Sequence, residues 1–331
     1  MPATNESTTA QLHVGSRGSQ LALIQTNHVV AVLKQNDPAL TVHVETMKTL
    51  GDKIQDVAMS KIGDKGLFTQ ELEAALASGA IDLVVHSLKD MPTQLPDNME
   101  LVAITEREDP RDAVIMSVRN RDVKLLDDLP AGSVVGTGSV RRVAQLRRLY
   151  PQLRFMDIRG NLNTRMAKLD ADDSPYAALV LAAAGMKRLG EHDRITHMLD
   201  NVLYAVGQGA LGIEARAGDA GVKQRVAQCL SHRATRLACL AERQLMRDLE
   251  GGCSVPIGVR SKWTDSERLV LQAIVAAPDG SEAVEADGAA FFTAAANDDA
   301  CAQELGARVA VLMRERGASK ILDAIHTPPQ N

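Results

Sequence analysis

Aromatic residues are nearly missing from this sequence: one tryptophan, three tyrosines and four phenylalanines in 331 residues. A protein that binds single-stranded nucleic acid stacks bases on aromatic faces, and this chain has no supply of them. A net charge of −5 also argues against a general nucleic-acid or anionic-membrane surface and leaves room only for local basic patches. Cysteine is scarce as well. Cys229, Cys239, Cys253 and Cys301 form no CxxC pair and no ligand-like grouping with histidine, so no metal site is expected. No uninterrupted apolar run is long enough to span a bilayer. The opening MPATNESTTAQ has neither a basic start with an apolar core nor arginines, so neither a secretory nor a transit signal is expected. The expectation is a cytoplasmic protein with reduced thiols.

What is there alternates between strand-length and helix-length patterns. LHVG (12–15) reads as a strand. A helix follows from about Ser19, with Leu21, Ile24, His28 and Val32 as its stripe. TVHVETM (41–47) alternates like a strand, and GLFTQELEAALASG (66–79) is an amphipathic helix closed by Gly79. IDLVVH (81–86) reads as a buried strand. This is the rhythm of a mainly parallel sheet covered by helices. The charged stretch TEREDPRDA (105–113) reads as an interdomain crossing. Strands then recur at 112–117, 132–136, 153–158 and 176–184, with helices after the last three. LYAVGQGALGIEA (203–215) reads as the return across the hinge. After about Val222 the pattern becomes a long helix (233–249), a hairpin turning near Pro278–Gly280 and a final helix (297–316), a smaller α+β module.

The strongest chemical signal is GTGSVRRVAQLRRLYPQLRFMDIRGNLNTR (136–165), with seven arginines, no lysine and a single acid, Asp157. Ser139 is a good N-cap. Arg141 and Arg142 then fall in the first helical turn, where the helix dipole disfavours cations, a conflict that an anion would remove. Arg159 and Arg165 repeat the design at the next strand end, where open α/β sheets bind ligands. Arg147, Arg148 and Arg154 read equally well as a solvated basic face. In the first half, Arg17 and Ser19 lie between a strand and a helix, and Lys61 and Lys65 lie in a glycine-rich loop. Cationic lips on two α/β domains imply a cleft for a ligand with several carboxylates or phosphates. Asp90, in VVHSLKDMPT, lies just past a strand end in that cleft, where it stays ionised among cations and can hold N–H groups, stabilise a cation or move a proton.

Cys253 stands in LEGGCSVPIG, after Gly251 and Gly252 and before Pro256. The glycines admit a bulky neighbour and the proline stiffens the exit. Its thiol is open to three chemical roles (nucleophile, redox group or covalent tether) beside that of a small buried hydrophobe. The residues alone also fit a binding protein for a small polyanion, a Schiff-base enzyme using Lys89, Lys61 or Lys65, and a nucleic-acid binder using the arginines, which the scarce aromatics oppose.

The segments SRGSQLAL, KIGDKGLFTQELE, VVHSLKDMPT, VGTGSVRR, IRGNLNTR, AAAGMKRLG, VGQGALGIEAR and LEGGCSVPIG, in this order from about residue 11 to 325, closely resemble porphobilinogen deaminases (hydroxymethylbilane synthases). The resemblance implies two α/β domains like the halves of periplasmic binding proteins, spanning 11–107 with 211–228, and 111–207. A smaller α+β domain at 232–326 carries the cofactor cysteine. It implies stepwise head-to-tail condensation of four porphobilinogens, with loss of ammonia, and hydrolytic release of hydroxymethylbilane. The cofactor is a dipyrromethane bound to Cys253 by a thioether, and Asp90 is the catalytic aspartate. Cofactor carboxylates fall to Lys89, Ser139, Arg141, Arg142, Arg159, Arg165 and Arg188, and substrate carboxylates to Arg17, Ser19, Arg159 and Arg165. Lys61, Lys65 and Phe68 fall in a mobile active-site loop. It further implies a monomer that passes its product to a tetrapyrrole-cyclising enzyme, with no nucleic-acid or membrane partner.

Overall fold

The computed structural model of the chain describes residues 11–53, 69–249, 255–293 and 297–326. The first stretch runs β1 (Gln11–Arg17), α1 (Gln20–Asn36), β2 (Thr41–Met47), α2 (Leu50–Lys53), α3 (Gln70–Ala77), β3 (Leu83–Ser87) and β4 (Met99–Ile104). The chain then crosses to β5 (Asp112–Met116), β6 (Val134–Gly136), α4 (Val140–Leu149), β7 (Arg154–Met156), α5 (Leu162–Asp170), β8 (Tyr176–Ala182), α6 (Ala183–Arg188) and β9 (His197–Leu199). It returns with β10 (Leu211–Arg216) and α7 (Ala220–Leu230). It ends with α8 (Arg233–Asp248), β11 (Ile257–Trp263), β12 (Arg268–Ala276), β13 (Ala283–Phe291), α9 (Asp298–Glu315) and α10 (Ala318–His326).

These strands form three sheets: β2-β1-β3-β10-β4, β7-β6-β8-β5-β9, and the antiparallel meander β11-β12-β13. Each large sheet is mainly parallel, as expected, with one reversed strand among its five. β1 runs parallel to β2 and β3, but β10 runs antiparallel to β3 and β4. Likewise β6 is parallel to β7 and β8, while β5 is antiparallel to β8 and β9. The reversed strand in each sheet is the one that enters straight from a crossing. The two crossings lie side by side, with Thr105 N donating to Leu211 O at 3.0 Å and Glu108 N to Gly209 O at 3.2 Å.

α1 shows how local chemistry sets a face. Ser19 caps it by accepting from Ala22 N at 3.4 Å. The buried positions are Gln25, Thr26, Val29 and Leu33, not the Leu21–Ile24–His28–Val32 stripe that hydrophobicity indicated. Two polar side chains turn inward because each finds a partner there: Gln25 Nε2 gives to Ser87 Oγ at 2.9 Å, and Thr26 Oγ1 to Ser16 Oγ at 2.8 Å. The C-terminal sheet packs on α8, α9 and α10 through a core that includes Leu245, Val259, Leu271, Leu305, Val309 and Met313. The helix expected over 297–316 is α9 (Asp298–Glu315); Gly317, at φ +98°, ends it, and a further helix, α10, follows. Among the described residues no helix is long and apolar enough to cross a membrane.

Candidate active site at the crossing of the two sheets

Asp90 ends a single 3₁₀ turn, Leu88–Asp90, that follows directly from β3. The turn is pinned to the returning crossing, with Leu88 N donating to Ala210 O at 3.0 Å, and it closes with Met91 N to Leu88 O at 3.2 Å. Leu88 is buried against Gly207, where a Cβ would lie 2.9 Å from Leu88 Cγ on a backbone at φ +71°. That glycine is required for both space and conformation. Asp90 itself is half-buried. The neighbouring Lys89 ammonium is pushed below its usual pKa by burial, supported by Asp90 and depressed further by Arg142 and Arg141. Lys89 therefore feels charges from both sheets.

Arg141 and Arg142 are buried in the first turn of α4, with Ser139 capping it by accepting from Arg142 N at 3.4 Å. The anion that offsets the dipole conflict is resident. Asp112, fully buried at the start of β5, accepts from Arg141 Nη1 and Arg142 Nη2, each at 2.8 Å, and from Gln208 Nε2 at 2.8 Å. Burial alone would raise the Asp112 pKa, but the two guanidinium groups hold it well below the usual carboxylate range. Arg141 also donates to Leu203 O at 2.6 Å, and Arg142 to Val180 O at 3.0 Å. One carboxylate does not satisfy two guanidinium groups: the Nε of each arginine is buried with no hydrogen-bond partner among the described residues.

Arg159 gives its Nε to Asp157 at 2.7 Å, and Arg165 gives its Nε to Gly160 O at 2.8 Å. The Arg165 guanidinium is lowered in pKa by burial, then by Arg142 and Arg159, while Asp157 and Asp90 pull the other way. So Lys89, Arg141, Arg142 and Arg165 share one electrostatic neighbourhood with Asp90 and Asp112. Arg17 ends β1 and Ser19 caps α1, at the same end of the first sheet as the turn after β3, because β1 and β3 run parallel. Arg188 stands at the paired crossings, donating to Gly209 O at 2.7 Å, with burial lowering its pKa against the pull of Glu108. Arg147 and Arg148 are not a free basic face. They donate to Pro278 O at 2.8 Å and Gly280 O at 3.2 Å in the β12–β13 turn. Lys61, Lys65, Phe68 and Cys253 lie outside the described residues.

Sequence reasoning missed Asp112 and Gln208. The dipole conflict at Arg141 and Arg142 was the available signal, but it did not say which distant acid would answer it. The cation excess around Asp90 and the orphaned buried guanidinium N–H groups suit a guest that carries several carboxylates. A dipyrromethane made from porphobilinogen, with an acetate and a propionate on each ring, fits that donor set.

Comparison with known proteins agrees with this chemistry. The family model described as porphobilinogen deaminase, dipyromethane cofactor binding domain, matches residues 12–224. That for the porphobilinogen deaminase C-terminal domain matches 236–315. A porphobilinogen deaminase of a Nostoc species is 50% identical over 316 residues, covering 95% of this chain and 94% of that one. The Yarrowia lipolytica porphobilinogen deaminase is 48% identical over 329 residues, covering 97% and 95%. Among solved structures, a probable amino-acid ABC transporter extracellular-binding protein from Bacillus subtilis superposes with a TM-score of 0.41 at 12% identity, over 67% of this chain and 90% of that one.

Proposed function

The chain belongs to the porphobilinogen deaminase family, and from that premise we propose that Cys253 is its cofactor tether and Asp90 its catalytic carboxylate. The activity is that of a transferase in tetrapyrrole synthesis, a hydroxymethylbilane synthase with a dipyrromethane cofactor. The observation that carries the residue assignment is Asp90 set in a half-buried turn among Lys89, Arg142 and Arg165. A bound dipyrromethane would supply the free pyrrole α-carbon on which the chain is started, and the terminal ring of the growing chain would supply it for each later unit.

The chain's own residues do the rest. Lys89, Ser139, Arg141, Arg142, Arg159, Arg165 and Arg188 bind cofactor carboxylates. Arg17, Ser19, Arg159 and Arg165 take those of the incoming porphobilinogen. An N-cap hydroxyl such as Ser19 or Ser139 accepts from the helix and keeps its proton for a ligand oxygen. The Asp90 carboxylate accepts pyrrole N–H groups and offsets the positive charge left on the substrate as ammonia departs. It then takes the ring proton displaced by the new carbon–carbon bond. The active-site-loop role of Lys61, Lys65 and Phe68 rests on the resemblance of KIGDKGLFTQELE alone. The hinge at the paired crossings divides the chain into 11–107 with 211–228, 111–207, and 232–326. The described residues around Asp90 (Lys89, Arg141, Arg142 and Arg165) all come from one chain, which supports a monomer. The free thiols of Cys229, Cys239 and Cys301 support a cytoplasmic setting, with the product passing to a tetrapyrrole-cyclising enzyme.

Intact mass with peptide mapping is the direct test. Two linked pyrrole units are expected on the peptide holding Cys253, either as purified or after incubation with porphobilinogen. A bare Cys253 after that incubation, with no substrate consumed, would refute the assignment.

A further inference from the structure

Cys239, Arg243 and Arg247 are spaced i, i+4, i+8 on α8 and so share one face. That face runs along the segment that follows β3. Cys239 packs in a buried cluster with Leu88 and Met91, which flank Asp90 in sequence. One turn further, Arg243 Nη1 donates to Met91 O at 3.3 Å and Nη2 to Pro92 O at 2.6 Å. At the next turn, Arg247 Nη2 donates to Thr93 O at 3.0 Å. The loop carbonyls need donors because they are withdrawn from water. A guanidinium that is 5% exposed is a costly donor to bury. What it adds over a neutral one is a rigid planar fork that fixes two consecutive carbonyls, and with them the plane of the peptide between Met91 and Pro92.

We infer that Arg243, seconded by Arg247, is a positioning residue for Asp90: α8 clamps the backbone on the exit side of the turn that aims the carboxylate. The entry side is already pinned by Leu88 N on Ala210 O at 3.0 Å. The same helix ends at Asp248, five residues before Cys253, so one rigid element joins the aspartate's support to the segment of the tether. The inference rests on the reading of Asp90 and Cys253 given above.

The test uses loaded holoenzyme, with loading checked by intact mass. Arg243→Lys keeps the charge and loses the fork. Its kcat is expected to fall about 100-fold, the scale of a displacement of about 1 Å at a reacting group, with KM within about threefold. In an Asp90→Glu background, where the carboxylate is already displaced, the same substitution is expected to cost less than about threefold, the non-additivity of residues acting through one another. An unchanged kcat in Arg243→Lys, or a full 100-fold loss that simply multiplies the Asp90→Glu loss, would overturn the inference and leave Arg243 a purely structural residue. If Arg243→Lys fails to fold, Arg247→Lys decides by the same two readouts, with a fall in kcat of about tenfold expected and no fall overturning the inference. Asp90→Asn separates the two readings. Near-normal turnover in that variant would remove Asp90 itself, whereas a dead Asp90→Asn beside a normal Arg243→Lys would remove only the clamp.

Discussion

Asp112 carries more of the site than any residue that the sequence singled out for its charge. It answers Arg141, Arg142 and Gln208 at once from a fully buried position. Replacing it by asparagine leaves two buried guanidinium groups without their anion. The expected cost is about 3–5 kcal/mol, the range for breaking a buried ion pair by removing one partner. Urea unfolding checks that, and intact mass checks a second consequence, poorer cofactor loading, because the arginines lose the carboxylate that aims them. A loss below about 1 kcal/mol would mean that water reaches the pair and screens it. The arginine positions were legible because a cation in a first helical turn is a local anomaly. Asp112 was not, because it lies 29 residues before Arg141 and only the second sheet's fold brings the two together. Arg147 and Arg148 misled in the opposite direction, since their partners are backbone carbonyls of a turn that no pattern in α4 announces.

Helix α4 is the element on which the second and third sheets meet. Its N-terminus presents Arg141 and Arg142, and further along it Ala144 packs with Ile274 and Ala276 of β12. The tip of the β12–β13 hairpin closes the contact at Gly280, where φ is +80° and a Cβ would lie 2.8 Å from Arg147 Cβ. Gly280→Val meets both the left-handed backbone and that overlap. An expected destabilisation of about 2–4 kcal/mol, read from urea unfolding, would confirm the tip as a packed joint, and no change would mean that it lifts away freely. The crossing has a pH signature. Hydrogen bonds from Arg111, working against burial, hold the Asp109 carboxyl down to about 2. A depressed folded pKa stabilises above the unfolded value of about 4, and that stability is lost as pH falls toward about 2. The stability gap between the wild-type protein and Asp109→Asn is therefore expected to hold from about pH 7 to about pH 5 and to narrow below about pH 4. A gap that closes already between about pH 7 and about pH 5 would assign the stabilisation to another group. Element positions were read well from sequence. The reversal of β5 and β10 was not, because it is a property of the double crossing, nor was the inward turn of Gln25 and Thr26, which depends on Ser87 and Ser16.

The whole molecule carries a net charge of −5, yet it gathers Lys89, Arg141, Arg142 and Arg165 around one half-buried carboxylate. A negative body with a local cluster of cations separates two effects that a uniformly basic protein would merge. Long-range attraction to a small dicarboxylate is weak, and capture depends on the last few ångströms, where low-dielectric walls focus the field. Salt then acts on binding far more than on the chemical step, because the reacting groups are closer together than a screening length of about 8 Å at physiological ionic strength. KM for porphobilinogen is expected to rise several-fold between about 50 mM and about 500 mM sodium chloride, while kcat changes less than about twofold. Steady-state kinetics on loaded enzyme across that range decides it. A flat KM would mean that the carboxylates are recognised by geometry alone, with the arginines' charge already cancelled by Asp112, Asp157 and Asp90. A falling kcat at constant KM would move the salt-sensitive step from carboxylate binding to the chemistry at Asp90.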